Sequence, residues 1–163
     1  MAQYRDRRRS FTERSFVRRI LTRENSRVGA WIQSHGGGFY RDGSQCIGLE
    51  RDGVLIAGVL YDYYNGASIY MHVAAGIQNW LDREYLRVCF DYPFRQLDCN
   101  VVIGLVPENN YKARRFDEHL GFKLTATIPE GHPEGALFIY TMRKEQCRWI
   151  RNKDEQAISP AAA

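Results

Sequence analysis

A single histidine, His72, stands within the apolar run 67–75 and has the chemistry for proton transfer. Histidine titrates near pH ~6.5, so it can take a proton from a reacting nucleophile. Strand alternation places His72 on a more polar face with Ser68 and Tyr70, while the other face is wholly apolar and should meet the core. The polar face lines a reactive cleft, or it is simply wetter surface with a structural histidine. Both interpretations stay open.

A second titratable side chain, Asp117, falls within the helical pattern of residues 110–120. An aspartate with an ordinary pKa of about 3.9 is ionised at pH 7, so it acts as an acid only if burial raises that pKa. The alternative is a surface residue that pairs with Arg114 one turn earlier. Tyr111 is close enough in sequence to be a substitute proton donor.

The elements that position these residues begin with a three-stranded antiparallel meander. Asp52-Gly53 and Asn65-Gly66 separate its β-rich runs, and such pairs favour tight turns in which both central residues have positive φ. The segment before the meander predicts a first strand or a helix end over 15–21, then a helix near 25–35 with Thr22 or Asn25 as N-cap. The meander strands are expected at 46–50, 54–64 and 67–75.

A change to helical periodicity follows the meander. A helix is expected over 81–97, capped by Asp82 and kinked at Pro93. A buried strand, a second helix ended by Gly121, and two strands around the loop 129–135 complete the order, at 100–106, 110–120, 122–128 and 136–142. This order predicts a mixed sheet with helices on its faces.

Composition places the chain among ordinary folded domains. It has 163 residues, of which 44% are hydrophobic, and no apolar run is long enough for a membrane span. We expect one domain over 17–150, a flexible basic arm over 1–16 and a loose tail over 151–163. The four cysteines lack metal-site spacing, so we expect reduced thiols, no metal site and a cytoplasmic location.

Positive charge is concentrated at the start of the chain. Eight arginines against two acidic residues give residues 1–23 a net charge of +6, whereas the whole chain carries +4. Such a segment attracts nucleic acid or another phosphate-rich partner, or it is a solvated leader. The first interpretation supports an alternative function: a weakly active or inactive module that binds nucleic acid or a protein through this segment.

The element order resembles that of the GNAT family of N-acetyltransferases over about residues 17–143. The residue-level match is N-x-x-A followed by L-G-F, carried here by Asn110, Ala113 and residues 120–122. The helix with Trp80, Leu81, Arg83 and "FDYPF" at 90–94 also resembles phage- or prophage-type members. The resemblance implies an α+β fold with three α/β/α layers, in which a mixed, mostly antiparallel sheet has a splayed central parallel pair.

The resemblance also implies a cofactor, acetyl-CoA or another acyl-CoA, and an amine acceptor attacked by direct transfer. The pantetheine arm would follow the strand at Val73, Ala74 and Ala75, bond to Asn110, and pack on Ala113 and Phe116. His72 stands where members often place a base. Asp117 replaces the tyrosine that often protonates the departing thiolate. Acceptor contacts are expected from Glu50, Asp62, Tyr63 and Tyr64, with His132 as a lip or simply part of a hairpin loop.

The phosphate-binding segment departs from the family pattern Q/R-x-x-G-x-G/A. Gln78 fits the first position, but Leu81 and Arg83 replace small residues, and Asp82 competes for the same N–H groups. Arg83 and Arg87 compensate by bonding to phosphate, or they are ordinary exposed helix residues. The sequence leaves the acceptor's identity open and allows a homodimer.

Overall fold

A computed structural model describes residues 16–150, so the predicted tail and all of the predicted arm except Phe16 lie outside the described residues. Seven strands and three α-helices occur in this range. The strands are β1 Arg18–Leu21, β2 Gln45–Arg51, β3 Val54–Asp62, β4 Ser68–Ala75, β5 Val101–Pro107, β6 Lys123–His132 and β7 Gly135–Arg143. The helices are α1 Asn25–Ser34, α2 Arg83–Asp91 and α3 Tyr111–Leu120.

All seven strands form one mixed sheet in the order β1-β2-β3-β4-β5-β7-β6. Every neighbouring pair is antiparallel except β4 and β5, which run parallel. The predicted fold class, with a central parallel pair in a mostly antiparallel sheet, is confirmed. Residues 18–21 form a strand, which resolves the alternatives that the sequence left open for that segment.

The two meander turns differ from each other. Asp52 and Gly53 both have positive φ, at 50° and 81°, as the predicted tight turn requires. The second turn is wider than predicted: positive φ occurs at Tyr63 and Gly66, and the Asn65 side chain accepts from the N–H groups of Ala67 and Ser68. The asparagine side chain thus replaces one strand-to-strand turn bond.

The helices cover opposite faces of the sheet. α1 packs Val28 and Ile32 against Leu60 and Ala74, whereas α2 and α3 pack on the face that holds Ile69 and Met71. α1 has no side-chain cap, and Glu24 rather than Thr22 or Asn25 occupies its N-cap position.

α2 is shorter than the predicted helix over 81–97. It begins at Arg83, after the Asp82 carboxylate accepts from the Tyr85 N–H at 2.8 Å, which confirms the predicted cap. It ends at Asp91, and a π-helical turn continues over residues 92–96. Pro93 lacks the N–H that an α-helix needs there, so the chain changes its winding instead of keeping one kinked helix.

Glu50 is buried in an ion-pair cluster and lines neither of the two cavities described below. Its side chain is only 3% exposed, and its two oxygens accept from Arg19 at 3.4 Å and Arg27 at 2.6 Å. These contacts connect β2 to β1 and α1. Within residues 16–150, all four cysteines are buried free thiols, no group of side chains suits a metal ion, and no helix is long and apolar enough to cross a membrane.

We predict that Glu50→Gln lowers the free energy of unfolding by about 1–3 kcal/mol, since it weakens two charge-assisted bonds to a buried acceptor. Glu24 is the matched control, because it pairs with the same Arg27 but is 38% exposed. Glu24→Gln should cost less than about 1 kcal/mol. Urea unfolding measures both. Equal losses for the two variants would show that the burial of Glu50 is unimportant.

Candidate active site

The central feature of the site is the point where β4 and β5 separate. The two strands pair only through Ser68–Val101, Ile69–Val102 and Tyr70–Ile103. Beyond these pairs each strand is bonded on its outer side alone, β4 to β3 and β5 to β7. A cleft of about 620 Å³ opens there. The predicted splay between these strands is therefore present.

The cleft brings together most of the residues predicted to meet a cofactor arm. Its lining includes the edge of β4 and one side of α3, with the predicted residues His72, Val73, Ala74, Ala75, Asn110, Ala113, Phe116 and Asp117. Asn110 caps α3, since its Oδ1 accepts from the Ala113 N–H at 3.1 Å. Only its side-chain amide N–H groups therefore remain to donate to a bound molecule.

Asp117 is not the solvated surface residue that we considered as the alternative. It lines the cleft beside Gly104, where an added Cβ would lie 3.1 Å from Asp117 Oδ2. Burial, with a smaller contribution from Glu118, raises the pKa of Asp117 from 3.8 to about 7. Arg114 does not pair with it, because that guanidinium stacks over the Phe138 ring and donates to the Glu108 carbonyl.

His72 projects from β4 toward the other face of the sheet. It stands opposite Leu60, which packs against α1, and cross-strand partners share a face. Its Nε2 lies 3.3 Å from Oδ1 of Asp62, whose side chain is 7% exposed. With neutral His72, the Nε2–H donates to this carboxylate and leaves the Nδ1 lone pair free to accept a proton.

Two parts of the lining were missed by sequence reasoning. Gly38 lies so close to His72 that an added Cβ would be 3.0 Å from the ring carbon Cγ. Three consecutive glycines at 36–38 are the sequence feature that could have indicated this close approach. Trp80 lines the cleft and packs on Phe116 with 5.8 Å between ring centroids. It therefore connects the segment before α2 to α3.

The predicted phosphate-binding side chains do not line the cleft: Gln78, Leu81, Arg83 and Arg87 are absent from its walls. The Asp82 carboxylate accepts a hydrogen bond from the third N–H of α2, that of Tyr85, as predicted. It also forms a salt bridge with Arg18 at 2.7 Å. Arg83 and Arg87 are exposed, and no ion pair involves them within the described chain.

A second pocket of about 350 Å³ holds the predicted residues Asp62, Tyr63 and Tyr64. Asp62 lines this pocket, and its partner His72 lines the cleft. The bonded pair therefore stands between the two cavities.

Three predicted site residues lie elsewhere. Tyr111 is 66% exposed, packs by its ring against Arg114 and is not part of the cleft lining, so its position does not suit a proton donor there. Glu50 is held by arginines, as described above. His132 belongs to β6, which is longer than predicted, and its Nδ1 accepts from the Glu134 N–H; it lines neither pocket.

Comparison with solved structures identifies the fold. Mutant forms of a spermidine/spermine N-acetyltransferase from Vibrio cholerae align with a TM-score of 0.64 and 13% identity, over 79% of this chain and 96% of that chain. The yncA protein of Salmonella typhimurium, solved with its cofactor acetyl-CoA, aligns with a TM-score of 0.61 and 14% identity, over 80% of this chain and 96% of that chain. A GNAT-family acetyltransferase from Bacillus anthracis aligns with a TM-score of 0.51 and 14% identity, over 61% of this chain and 66% of that chain. The chain has the GNAT acetyltransferase fold.

These identities are low, so the likeness concerns the fold. No protein-family model and no curated protein matches the sequence. None of these matches bears on the phage- or prophage-type resemblance, which stays a prediction.

The GNAT cleft of this chain suits one part of acetyl-CoA better than another. The free edge of β4 and the Asn110 amide suit a pantetheine arm, which bonds to a strand edge as an added strand does. The start of α2 suits the diphosphate poorly, because Asp82 already places a carboxylate at these N–H groups.

We predict that Asp117→Asn stabilises the protein at pH 8 and leaves its stability unchanged near pH 4. The pKa of Asp117 is higher in the folded protein than in the unfolded chain. The loss of stability caused by ionising Asp117 is therefore absent below about pH 4, grows as the pH rises to about 7, and is complete above it. Asparagine cannot ionise and escapes this cost, on the order of 2 kcal/mol after discounting for partial exposure.

Asp98→Asn is the control with the opposite sign. A bond from Lys144 lowers the pKa of Asp98, so its ionised form stabilises the fold at pH 8 and that contribution is lost as the pH falls. Thermal unfolding at pH 4, 6 and 8 measures both variants. No gain at pH 8 for Asp117→Asn would mean that this carboxylate is well solvated.

Proposed function

We propose that the protein is an acyl-CoA-dependent N-acyltransferase that transfers an acetyl group to an amine acceptor. The observation that carries the proposal is the β4–β5 cleft, with His72 and Asp117 among its lining residues on opposite faces of the sheet. The GNAT fold supports it, and its solved neighbours include a spermidine/spermine N-acetyltransferase and a protein that holds acetyl-CoA.

Acetyl-CoA supplies a thioester whose carbonyl carbon an amine can attack. In that step an N–C bond forms, the C–S bond breaks, and the sulfur leaves as a thiolate. The backbone groups of β4 that face the cleft near residues 73–75 and the Asn110 amide hold the arm, while Ala113 and Phe116 pack on its apolar part.

His72 serves as the base for the attacking amine. Its Nδ1 accepts the amine proton, and the Asp62 carboxylate stabilises the resulting positive ring through Nε2. Because Asp62 is already bonded to Nε2, the transfer needs no rearrangement of the pair. In this step Asp62 acts as a positioning residue for the ring, and the substrate contact expected of it stays a prediction.

Asp117 serves as the acid for the leaving thiolate. With a pKa of about 7, a large fraction of this carboxyl holds a proton at neutral pH, which an ordinary aspartate would not. It can thus take the role for which the family often uses a tyrosine. A thiolate also leaves readily without help, since thiols have a pKa of about 8.5, so this contribution should be smaller than that of His72.

We predict that acetyl-CoA and CoA bind the full-length protein, and that Asn110→Ala weakens both by about tenfold through loss of a polar contact. Asn109→Ala is the matched control, because Asn109 bonds to Glu134 outside the cleft. Calorimetry measures the affinities. The function fails if no binding occurs at millimolar cofactor, and the placement of the arm fails if both variants bind like the wild type.

We predict that His72→Ala lowers turnover by about a hundredfold or more with little change in acetyl-CoA affinity, as expected for loss of a base. His119→Ala is the control, since His119 is exposed on α3 and absent from the cleft lining. Thiol release in the presence of an amine measures turnover. Asp117→Asn should lower it by only about tenfold. Normal turnover in His72→Ala would make His72 a structural residue.

A further inference from the structure

The second pocket lies on the far side of the His72–Asp62 pair from the cleft. It is lined mainly by the loop before β2 and the turn after β3, with aromatic side chains from Tyr61, Tyr63, Tyr64 and Tyr92. Its charged lining residues are Arg41, Asp42 and Asp62, so it carries both signs of charge. An acceptor that reaches His72 from this side has its remaining atoms in this pocket.

Tyr63 fixes the position of Arg41 in the wall of this pocket. Its guanidinium lies over the Tyr63 ring at 5.0 Å from the centroid, and its Nη1 donates to the Tyr63 hydroxyl. Tyr63 has a φ of 52°, which is rare for an aromatic residue, and its ring meets Tyr70 edge-on at 5.6 Å. Backbone strain of this kind persists where the surroundings hold it, and it is concentrated at functional sites.

Arg41 carries its positive charge without a salt bridge to any acidic side chain among the described residues, although Asp42 follows it in the chain. A guanidinium that lies over an aromatic ring keeps most of its N–H groups free to donate. Their planar arrangement suits two parallel hydrogen bonds to a carboxylate. Asp62 supplies the opposite charge in the same pocket.

We propose that the second pocket binds an acceptor that carries both an amine and a carboxylate, in the manner of an amino acid. The amine extends past Asp62 to the Nδ1 of His72 at the cleft, and the carboxylate stays in the second pocket, bound by Arg41. The proposal rests on the proposed function and names its acceptor class. A polyamine fits this pocket less well, because its further ammonium groups would meet the guanidinium.

The test compares matched acceptors that differ only in the carboxylate. The free amino acids, the corresponding carboxamides and spermidine are offered to the full-length protein with acetyl-CoA, and thiol release gives kcat/KM. The kcat/KM for amino acids should exceed that for their carboxamides by about tenfold or more, because only the carboxylate can accept a pair of charge-assisted hydrogen bonds from Arg41. Calorimetry with the same amino acids, without acetyl-CoA, measures binding separately from transfer.

The Arg41→Gln variant should raise KM for amino acids by about tenfold and leave the carboxamides unchanged. Arg41→Lys should give an intermediate value, since lysine keeps the charge without the planar donors. Arg143→Gln, at an exposed residue of β7, should change the KM of neither acceptor type. Thermal unfolding confirms that each variant is folded.

Three results would overturn the inference: carboxamides or spermidine used as well as amino acids, no amino acid bound in calorimetry, or equal effects of Arg41→Gln on both acceptor types. Failure of the proposed function has a different signature. In that case acetyl-CoA does not bind and no acceptor yields free thiol, whereas calorimetry still reports whether amino acids bind at Arg41.

Discussion

The separation of β4 from β5 is the constraint on which the rest of the structure depends. Each strand is fully paired on its outer side, so neither can turn away to satisfy the groups that face the cleft. Unpaired backbone groups are costly when they are buried away from water, and a strand edge binds an extended chain readily. The fold thus keeps an edge free at the centre of a sheet, where edges are normally paired.

The alternation of side chains along β4 places His72 on the face of the sheet opposite to the one that α3 covers. His72 faces the side covered by α1, where Asp62 on the neighbouring strand can reach it. Asp117 belongs to α3 on the other face, where burial, with a smaller contribution from Glu118, raises its pKa to about 7. One group is suited to hold positive charge and the other to hold a proton. An imidazole can carry a positive charge and a carboxyl cannot, and the burial of Asp117 also favours its protonated form.

Local patterns predicted the fold because they depend on near neighbours in sequence. The Asp52-Gly53 turn, the Asp82 and Asn110 caps and the alternation in β4 each need only a few adjacent residues. The site was predicted less well because burial and pairing depend on distant segments. Glu50 meets arginines 23 and 31 residues away, and a local pattern cannot distinguish such a carboxylate from one in a pocket.

The same limit explains why Asp117 looked like a surface residue. Its neighbour Arg114 is at pairing distance in sequence, but the guanidinium is drawn away by the Phe138 ring and the Glu108 carbonyl. The partner of Arg114 is thus determined by the positions of β7 and of the residue that follows β5.

The start of α2 shows how one charge arrangement excludes another. Asp82 caps the helix, and Arg18 from β1 bonds to both Asp82 and Glu84. These contacts join the first strand to α2, but they place two carboxylates where a diphosphate would otherwise approach the helix. A cofactor that enters the β4–β5 cleft must therefore gain most of its affinity from the arm and its thioester end. That places the greater demand on Asn110, the β4 edge and the aromatic contact between Trp80 and Phe116, all of which belong to the lining of the cleft.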